Sequence, residues 1–217
     1  SLTRYHILVN GAQVYDSFED KTLLREELTP QQAMCMLHFL KSHNVLRGVY
    51  IDGLGHMSRE DFSEIEAVAA TPATAALMRR SYQTDEDLDA VTAQHNSVQK
   101  IIAFFRNPDD KQATIHEITS RFPGYAVSSS LGNNIEINAK NATKGSALCF
   151  LCEKIGVPIG QCMAFGDGTN DYSMLRAAGF GVAMGNASEE VQSCADAVTE
   201  TNEEDGVARM IERVLGL

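Results

Sequence analysis

No stretch of this 217-residue sequence is apolar over the roughly 18–20 residues that a bilayer-spanning helix needs, so no such helix is expected. A basic surplus is missing too. Lysine and arginine number 18 against 29 aspartates and glutamates, a formal charge of −11, and that balance argues against a nucleic-acid or anionic-membrane surface, which needs clustered cations. The first residues, Ser1-Leu2-Thr3-Arg4-Tyr5-His6, lack the apolar core and small-residue cleavage pattern of a secretory signal. Cysteines are five, odd in number and irregular in spacing, which does not suit a disulfide framework and fits a reducing compartment. Cytoplasm is the expected location. Internal repeats and low-complexity linkers are absent as well.

What is present is an ordinary globular composition, 44% hydrophobic and 22% charged, enough for a real core in one or two domains. Ile7-Leu8-Val9 reads as a buried strand ending at Asn10-Gly11, with a second short strand at Gln13-Val14-Tyr15. Residues 21–28 alternate weakly, as an exposed strand would. Thr29-Pro30 opens a helix carrying Ala33, Met34, Leu37, Phe39 and Leu40. Residues 45–51 form a strand closed by Asp52-Gly53. The acidic, alanine-rich stretch 58–89 suggests helices near 72–81 and 85–91. A strand at 98–105, a helix from Asn107-Pro108-Asp109-Asp110 to Arg121, and a hairpin of 125–130 with 134–138 follow. Beyond Ala139 the texture becomes helix (144–155), strand (162–165), helix, strand (181–184), helix and a last helix (203–215), joined by short loops. That is a parallel α/β pattern. Residues 19–138 therefore read as an α+β insertion, and 1–18 with 139–217 as the core.

The segment richest in chemistry is Gly166-Asp167-Gly168-Thr169-Asn170-Asp171, directly after the strand Cys162-Met163-Ala164-Phe165. Carboxylates at the carboxyl end of a strand lie where α/β folds bind ligands, and oxygen donors there suit Mg²⁺ with a phosphate. Alone, the segment could be a surface turn with Asn170 capping the next helix. Two other groups carry less. Cys149 and Cys152 make a C-x-x-C on an apolar helix and read as two core thiols. His38, His43, His56, His95 and His116 have no metal-ligand spacing.

The run Met163–Leu175 resembles the GDxxNDxxML signature of the haloacid dehalogenase-like phosphatases. The likeness extends to Ala178–Ala187, to Thr199–Ala208, to Lys144-Gly145-Ser146-Ala147-Leu148, and to Val9-Asn10-Gly11-Ala12, which matches the Cof-type subgroup with its type IIB cap. The resemblance implies a Rossmann-type parallel sheet core with an α+β cap at 19–138 that selects the substrate. It implies an Mg²⁺-dependent phosphatase acting on a small phosphorylated metabolite, a sugar phosphate above all, through an aspartyl-phosphate. Residue by residue, Asp167 matches the metal-ligand aspartate. Asp171 matches the second acid, catalytic and a metal residue, which usually holds a metal-bound water or the lysine. Lys144 matches the lysine that balances nucleophile and phosphate charges. Asn170 matches the amide that contacts the phosphate or the nucleophile region, and Asn10 and Gly11 match positions by the core–cap hinge, where a substrate contact is expected.

The family's opening Asp-x-Asp-Gly-Thr, source of the nucleophile and the acid/base, is not in this sequence. Tyr50-Ile51-Asp52-Gly53-Leu54 has one aspartate of the two and reads as a hairpin turn. The core is therefore expected to lack its first strands, to expose sheet edges that invite self-association, and to be inactive as it stands. A truncation or a mis-assigned start would explain this. The rival readings are a degenerate relative serving as a non-catalytic binding or assembly module, and a phosphosugar mutase or phosphotransferase on the same fold.

Overall fold

The computed structural model describes residues 3–216. They divide into a core unit, up to Leu24 and from Ala142, and an inserted unit, Arg25–Asn141. The divisions fall a few residues beyond those expected at 18/19 and 138/139.

The core unit opens with β1 (Tyr5–Leu8), β2 (Gln13–Asp16) and β3 (Lys21–Arg25), a three-stranded sheet in that order. β1 and β2 are antiparallel, with Ile7 opposite Val14. The first strand stops one residue short of Val9, because Val9 (φ 50°) and Asn10 (φ 59°) both take left-handed backbone. Gly11 follows at φ +100°, and a Cβ there would lie 2.2 Å from the carbonyl oxygen of Thr143. Only glycine lets this turn touch the start of the helix at 144. Buried Asp16 anchors the arm. Its carboxylate accepts from Arg4 Nε at 3.0 and 2.9 Å, from Arg4 Nη2 at 2.6 Å, and from the amides of Phe18 and Glu19 at 3.0 and 3.3 Å.

The inserted unit begins with α1 (Pro30–Leu40), whose Thr29–Gln32 capping box and leading proline match the expected start. β4 (Val45–Ile51) and β5 (Leu54–Ser58) form a hairpin across Asp52-Gly53, both at positive φ. α2 (Arg59–Ser63) and α3 (Pro72–Ser81) cross over to β6 (Tyr82–Asp85), parallel to β5. α4 (Leu88–Gln94), β7 (Lys100–Phe105), α5 (Asp110–Arg121), β8 (Tyr125–Ser128) and β9 (Asn134–Ala139) complete a six-stranded sheet ordered β6-β5-β4-β7-β9-β8. One face packs Val49, Ile101 and Ile137 against Leu37 of α1 and Ile118 of α5. The other packs Leu46, Ile102 and Phe104 against Met78 of α3. β5 and β6 are absent from the sequence expectation, which placed a helix at 85–91 where β6 ends and α4 begins.

The core unit resumes with α6 (Lys144–Ile155), capped by Thr143 as Ser146 N donates to its hydroxyl at 3.1 Å. β10 (Met163–Gly166), α7 (Tyr172–Ala177), β11 (Phe180–Ala183), α8 (Glu189–Gln192), β12 (Ala197–Val198) and α9 (Gly206–Leu215) follow. β10, β11 and β12 are parallel, in that order. This sheet is separate from β1-β2-β3 among the described residues. Among the described residues no strand pairs with the outer edge of β10. α9 carries apolar Val207, Met210, Ile211 and Val214 at helical spacing, yet Met210 alone of these is buried; Val207, Ile211 and Val214 are 40%, 38% and 50% exposed.

The anchored arm has an acid limit. Hydrogen bonding from Arg4 pulls the Asp16 carboxyl from its ordinary 3.8 down to about 2, against the opposing effect of burial. A depressed carboxyl contributes stability fully above its unfolded value and loses it as the pH falls through the folded one. Wild type should therefore lose stability between pH 3.8 and about 2 through this group, and Asp16→Asn should remove that part of the acid limb. Denaturant midpoints measured across this window check it.

Candidate active site

Three elements of the core unit meet around one carboxylate. β10 delivers Gly166, the chain turns at Asp167-Gly168, and residues 169–171 make one tight turn before α7. That turn folds Asp171 back beneath the strand end. A Cβ at residue 166 would stand 2.4 Å from Asp171 Cβ, so the close approach needs Gly166. Asp171 is buried. Its Oδ2 accepts from the amides of Asp167 and Gly168 at 3.0 and 3.1 Å, and its Oδ1 accepts from Lys144 Nζ at 2.5 Å. Lys144, at the first turn of α6, is 28% exposed against 5% for the aspartate side chain. Asp171 thus clamps α6 to the end of β10.

Asp167 points the other way and is exposed. Its Oδ2 accepts from Asn186 Nδ2 at 3.1 Å, and Asn186 Oδ1 in turn accepts from Asn202 N at 3.2 Å. Among the described residues Asp167 Oδ1 accepts no hydrogen bond. Asn170 Nδ2 donates to Asn10 Oδ1 at 3.4 Å, joining the β1–β2 turn to the same loop. A cleft of about 490 Å³ opens here, with Lys144, Asp167 and Asp171 as its polar lining and Ile7, Phe165 and Val207 among its walls.

Lys144, Asp167 and Asp171 are therefore together, and Asn170 and Asn10 touch one another. Gly11 serves the backbone, packed on Thr143. Asn186 is the residue sequence reasoning left out. It follows β11 as Asp167 follows β10, so adjacent parallel strands bring the two side chains side by side. The Met184-Gly185-Asn186 turn within the matched run was its signal. As donors for a hard cation the residues fit in part. Asp167 has a free oxygen, whereas Asp171 already serves Lys144 and two amides. No group of three or more Asp, Glu, His or Cys side chains gathers as a ready metal cage among the described residues.

The C-x-x-C reading is corrected. Cys152 is buried but Cys149 is exposed. The chain after α6 returns over Cys152, whose carbonyl accepts from Val157 N at 2.9 Å and whose sulfur meets that of Cys162. Sharing a helix face did not give Cys149 the same depth.

A family model described as haloacid dehalogenase-like hydrolase matches residues 1–211. The phosphatase YwpJ of Bacillus subtilis is 51% identical over 87 residues, 40% of this chain and 30% of that protein. The 5-amino-6-(5-phospho-D-ribitylamino)uracil phosphatase YitU of the same organism is 31% identical over 175 residues, 81% of this chain and 61% of that protein. These matches span less than two thirds of either relative. Among solved structures, that of the HAD subclass IIB sugar phosphatase BT4131 superposes with a TM-score of 0.79 at 21% identity, over 98% of this chain and 76% of that one; at that identity the likeness is one of fold.

The clamp can be tested without any activity. Asp171→Ala leaves two amides and Lys144 without their acceptor and should cost about 2–4 kcal/mol. Asp171→Asn keeps one acceptor and should cost less. Urea unfolding of both variants measures the difference, and equal losses would contradict the clamp.

Proposed function

The chain belongs to the haloacid dehalogenase-like hydrolases, and on that premise we propose that it forms the metal-holding side of a phosphatase for small phosphorylated metabolites. The observation that carries this reading is the grouping of Asp167, Asp171 and Lys144 in one cleft at the carboxyl end of β10. Asp167 would hold Mg²⁺ through its free oxygen, in the manner of a cation bound by few carboxylates and otherwise by water and phosphate. Bound there, the metal would offset charge on the phosphoryl group. Lys144, fixed by Asp171, supplies a positioned cation. Asn186 orients Asp167, and the Asn170–Asn10 pair offers amide groups to phosphate oxygens.

The nucleophilic aspartate has to come from outside these 217 residues, since no Asp-x-Asp-Gly-Thr occurs in them. The free edge of β10 supports this. Val207 shares one cleft with Phe165, and Val214 shares another with Met163, so an incoming strand would gain both backbone partners and apolar contacts. Whether it is a further segment of the same polypeptide or another copy's, it would stand beside Lys144. Residues 25–141 act as the substrate-selecting cap. Sugar and sugar-alcohol phosphates are the proposed class, in keeping with the activities for which YitU and BT4131 are named.

The chain alone should show no Mg²⁺-dependent release of phosphate from a panel of sugar phosphates. Joined at its N-terminus to a segment that carries the family's Asp-x-Asp-Gly-Thr strand, it should gain such activity. Lys144→Ala or Asp167→Asn in that fusion should then lower kcat by roughly 10²–10³-fold. Turnover by the unfused chain would overturn the missing-nucleophile reading. A well-folded but inactive fusion would favour a non-catalytic module instead.

A further inference from the structure

We propose that Cys152 and Cys162 are a redox-active pair that closes to an intrachain disulfide, a covalent clasp between α6 and the start of β10. Their sulfurs stand 3.2 Å apart, so a bond of about 2.05 Å needs a closing movement of about 1 Å. Neither partner hangs on a loose segment. Cys152 lies within α6 with its carbonyl held by Val157 N at 2.9 Å. Cys162 N donates to Ile159 O at 3.0 Å, and Cys162 O accepts from Phe180 N at 3.1 Å, which seats it against β11. The pair is therefore brought together by the packing of regular elements. The other three cysteines, Cys35, Cys149 and Cys194, show no sulfur–sulfur contact among the described residues.

Access differs between the two. Cys152 is buried, whereas Cys162 is half-buried and lines an open cleft of about 300 Å³ with Gly160, Gln161, Met163, Phe180 and Val214. Burial first, then the contact with Cys162, pushes the Cys152 thiol up to about 11, so it stays protonated at neutral pH. An oxidant entering the cleft meets Cys162 first. With hydrogen peroxide, the Cys162 thiolate attacks one peroxide oxygen; the O–O bond breaks, hydroxide leaves, and Cys162 becomes a sulfenic acid. The Cys152 sulfur then attacks the Cys162 sulfur. An S–S bond forms, the S–O bond breaks, and the departing hydroxide takes the Cys152 proton as water. In sum two thiols are oxidised, one peroxide is reduced, and two waters form. The clasp joins the two elements whose far ends carry Lys144 and Asp167, and it rests on none of the proposed catalytic roles.

The purified chain, treated with a small excess of peroxide and then denatured, should show three titratable thiols in place of five. Dithiothreitol should restore all five. Tryptic cleavage after Lys154 puts Cys152 and Cys162 on separate peptides, so the oxidised wild-type protein should yield a linked pair that reduction separates. That readout needs no variant. Because Cys149 shares the Cys152 peptide, Cys149→Ser should give the same link, and Cys162→Ser should give none. The oxidised chain should also melt roughly 5 °C higher or more than the reduced one. Retention of five thiols, a link that disappears in Cys149→Ser, or conversion of Cys162 to the sulfinic acid without a link would each overturn the proposal.

Discussion

The core unit depends on where one carboxylate points. Asp171 Oδ1 meets the ammonium of Lys144 and Oδ2 meets two consecutive amides, so a single buried side chain fixes the start of α6, the end of β10 and the turn into α7. Without it the amides of Asp167 and Gly168 would face a buried space with no acceptor, an arrangement that costs about 1–3 kcal/mol for each group. The same contacts decide the chemistry of the neighbour. By holding residues 167–171 in one tight turn they send Asp167 outward, toward solvent and Asn186. A buried carboxylate and a solvent-facing carboxylate four residues apart thus have different surroundings because the backbone between them reverses.

Much of this was legible in the chain itself. The span of α6 agrees with expectation because its signals are local: a threonine cap, a lysine-led first turn and a left-handed glycine after Ile155. β10 and β11 fall within a residue of expectation for a similar reason, short apolar runs bounded by glycine. β5 and β6 were not legible. Leu54-Gly55-His56-Met57-Ser58 and Tyr82-Gln83-Thr84-Asp85 show no alternation, and they are strands because β4 offers an edge to one and that one offers an edge to the other. β5 joins β4 through a tight turn, but β6 joins β5 only across the 23 residues between them, and that pairing is a tertiary fact. The site divides along the same line. The motif spacing named Asp167, Asp171 and Lys144, but the order of donors around Asp171, the partnership of Asn186, and the meeting of Cys152 with Cys162 arise only when separate elements pack.

The two small sheets of the core unit show what hydrogen bonding between strands ordinarily supplies. β1 lies in an antiparallel arm with β2, and β10 ends its own parallel sheet. An unpaired edge exposes alternate amides and carbonyls to water or to another strand. Beside it α9 leaves Val207, Ile211 and Val214 half in solvent, although burying such side chains fully is worth roughly 1.5–3 kcal/mol each. Backbone groups and apolar side chains on one flank therefore favour the same kind of partner, an extended segment with apolar residues toward α9. On the proposed reading, the strand that would satisfy the edge would also end beside Lys144.

Charge decides the order in which such a site could fill. Lys144 offsets Asp171, which leaves Asp167 as the uncompensated member of the trio and the cleft with a net negative charge. A phosphate dianion brought near Asp167 alone would be repelled, by about 4 kcal/mol per charge pair at 4 Å and an effective dielectric near 20. A divalent cation on the free oxygen of Asp167 reverses that sign, and an aspartate delivered by an added strand would restore a negative centre against which both Mg²⁺ and Lys144 could act. Phosphate affinity should accordingly follow the cation: in the unfused chain phosphate should bind only when Mg²⁺ is present, and Asp167→Asn, which removes the offending charge along with the proposed metal ligand, should weaken Mg²⁺ binding while making metal-free phosphate binding less unfavourable. Calorimetric titration with each ligand alone and with both would show the coupling, and phosphate binding that ignored Mg²⁺ would mean that Lys144, not the carboxylate, governs the potential of the cleft.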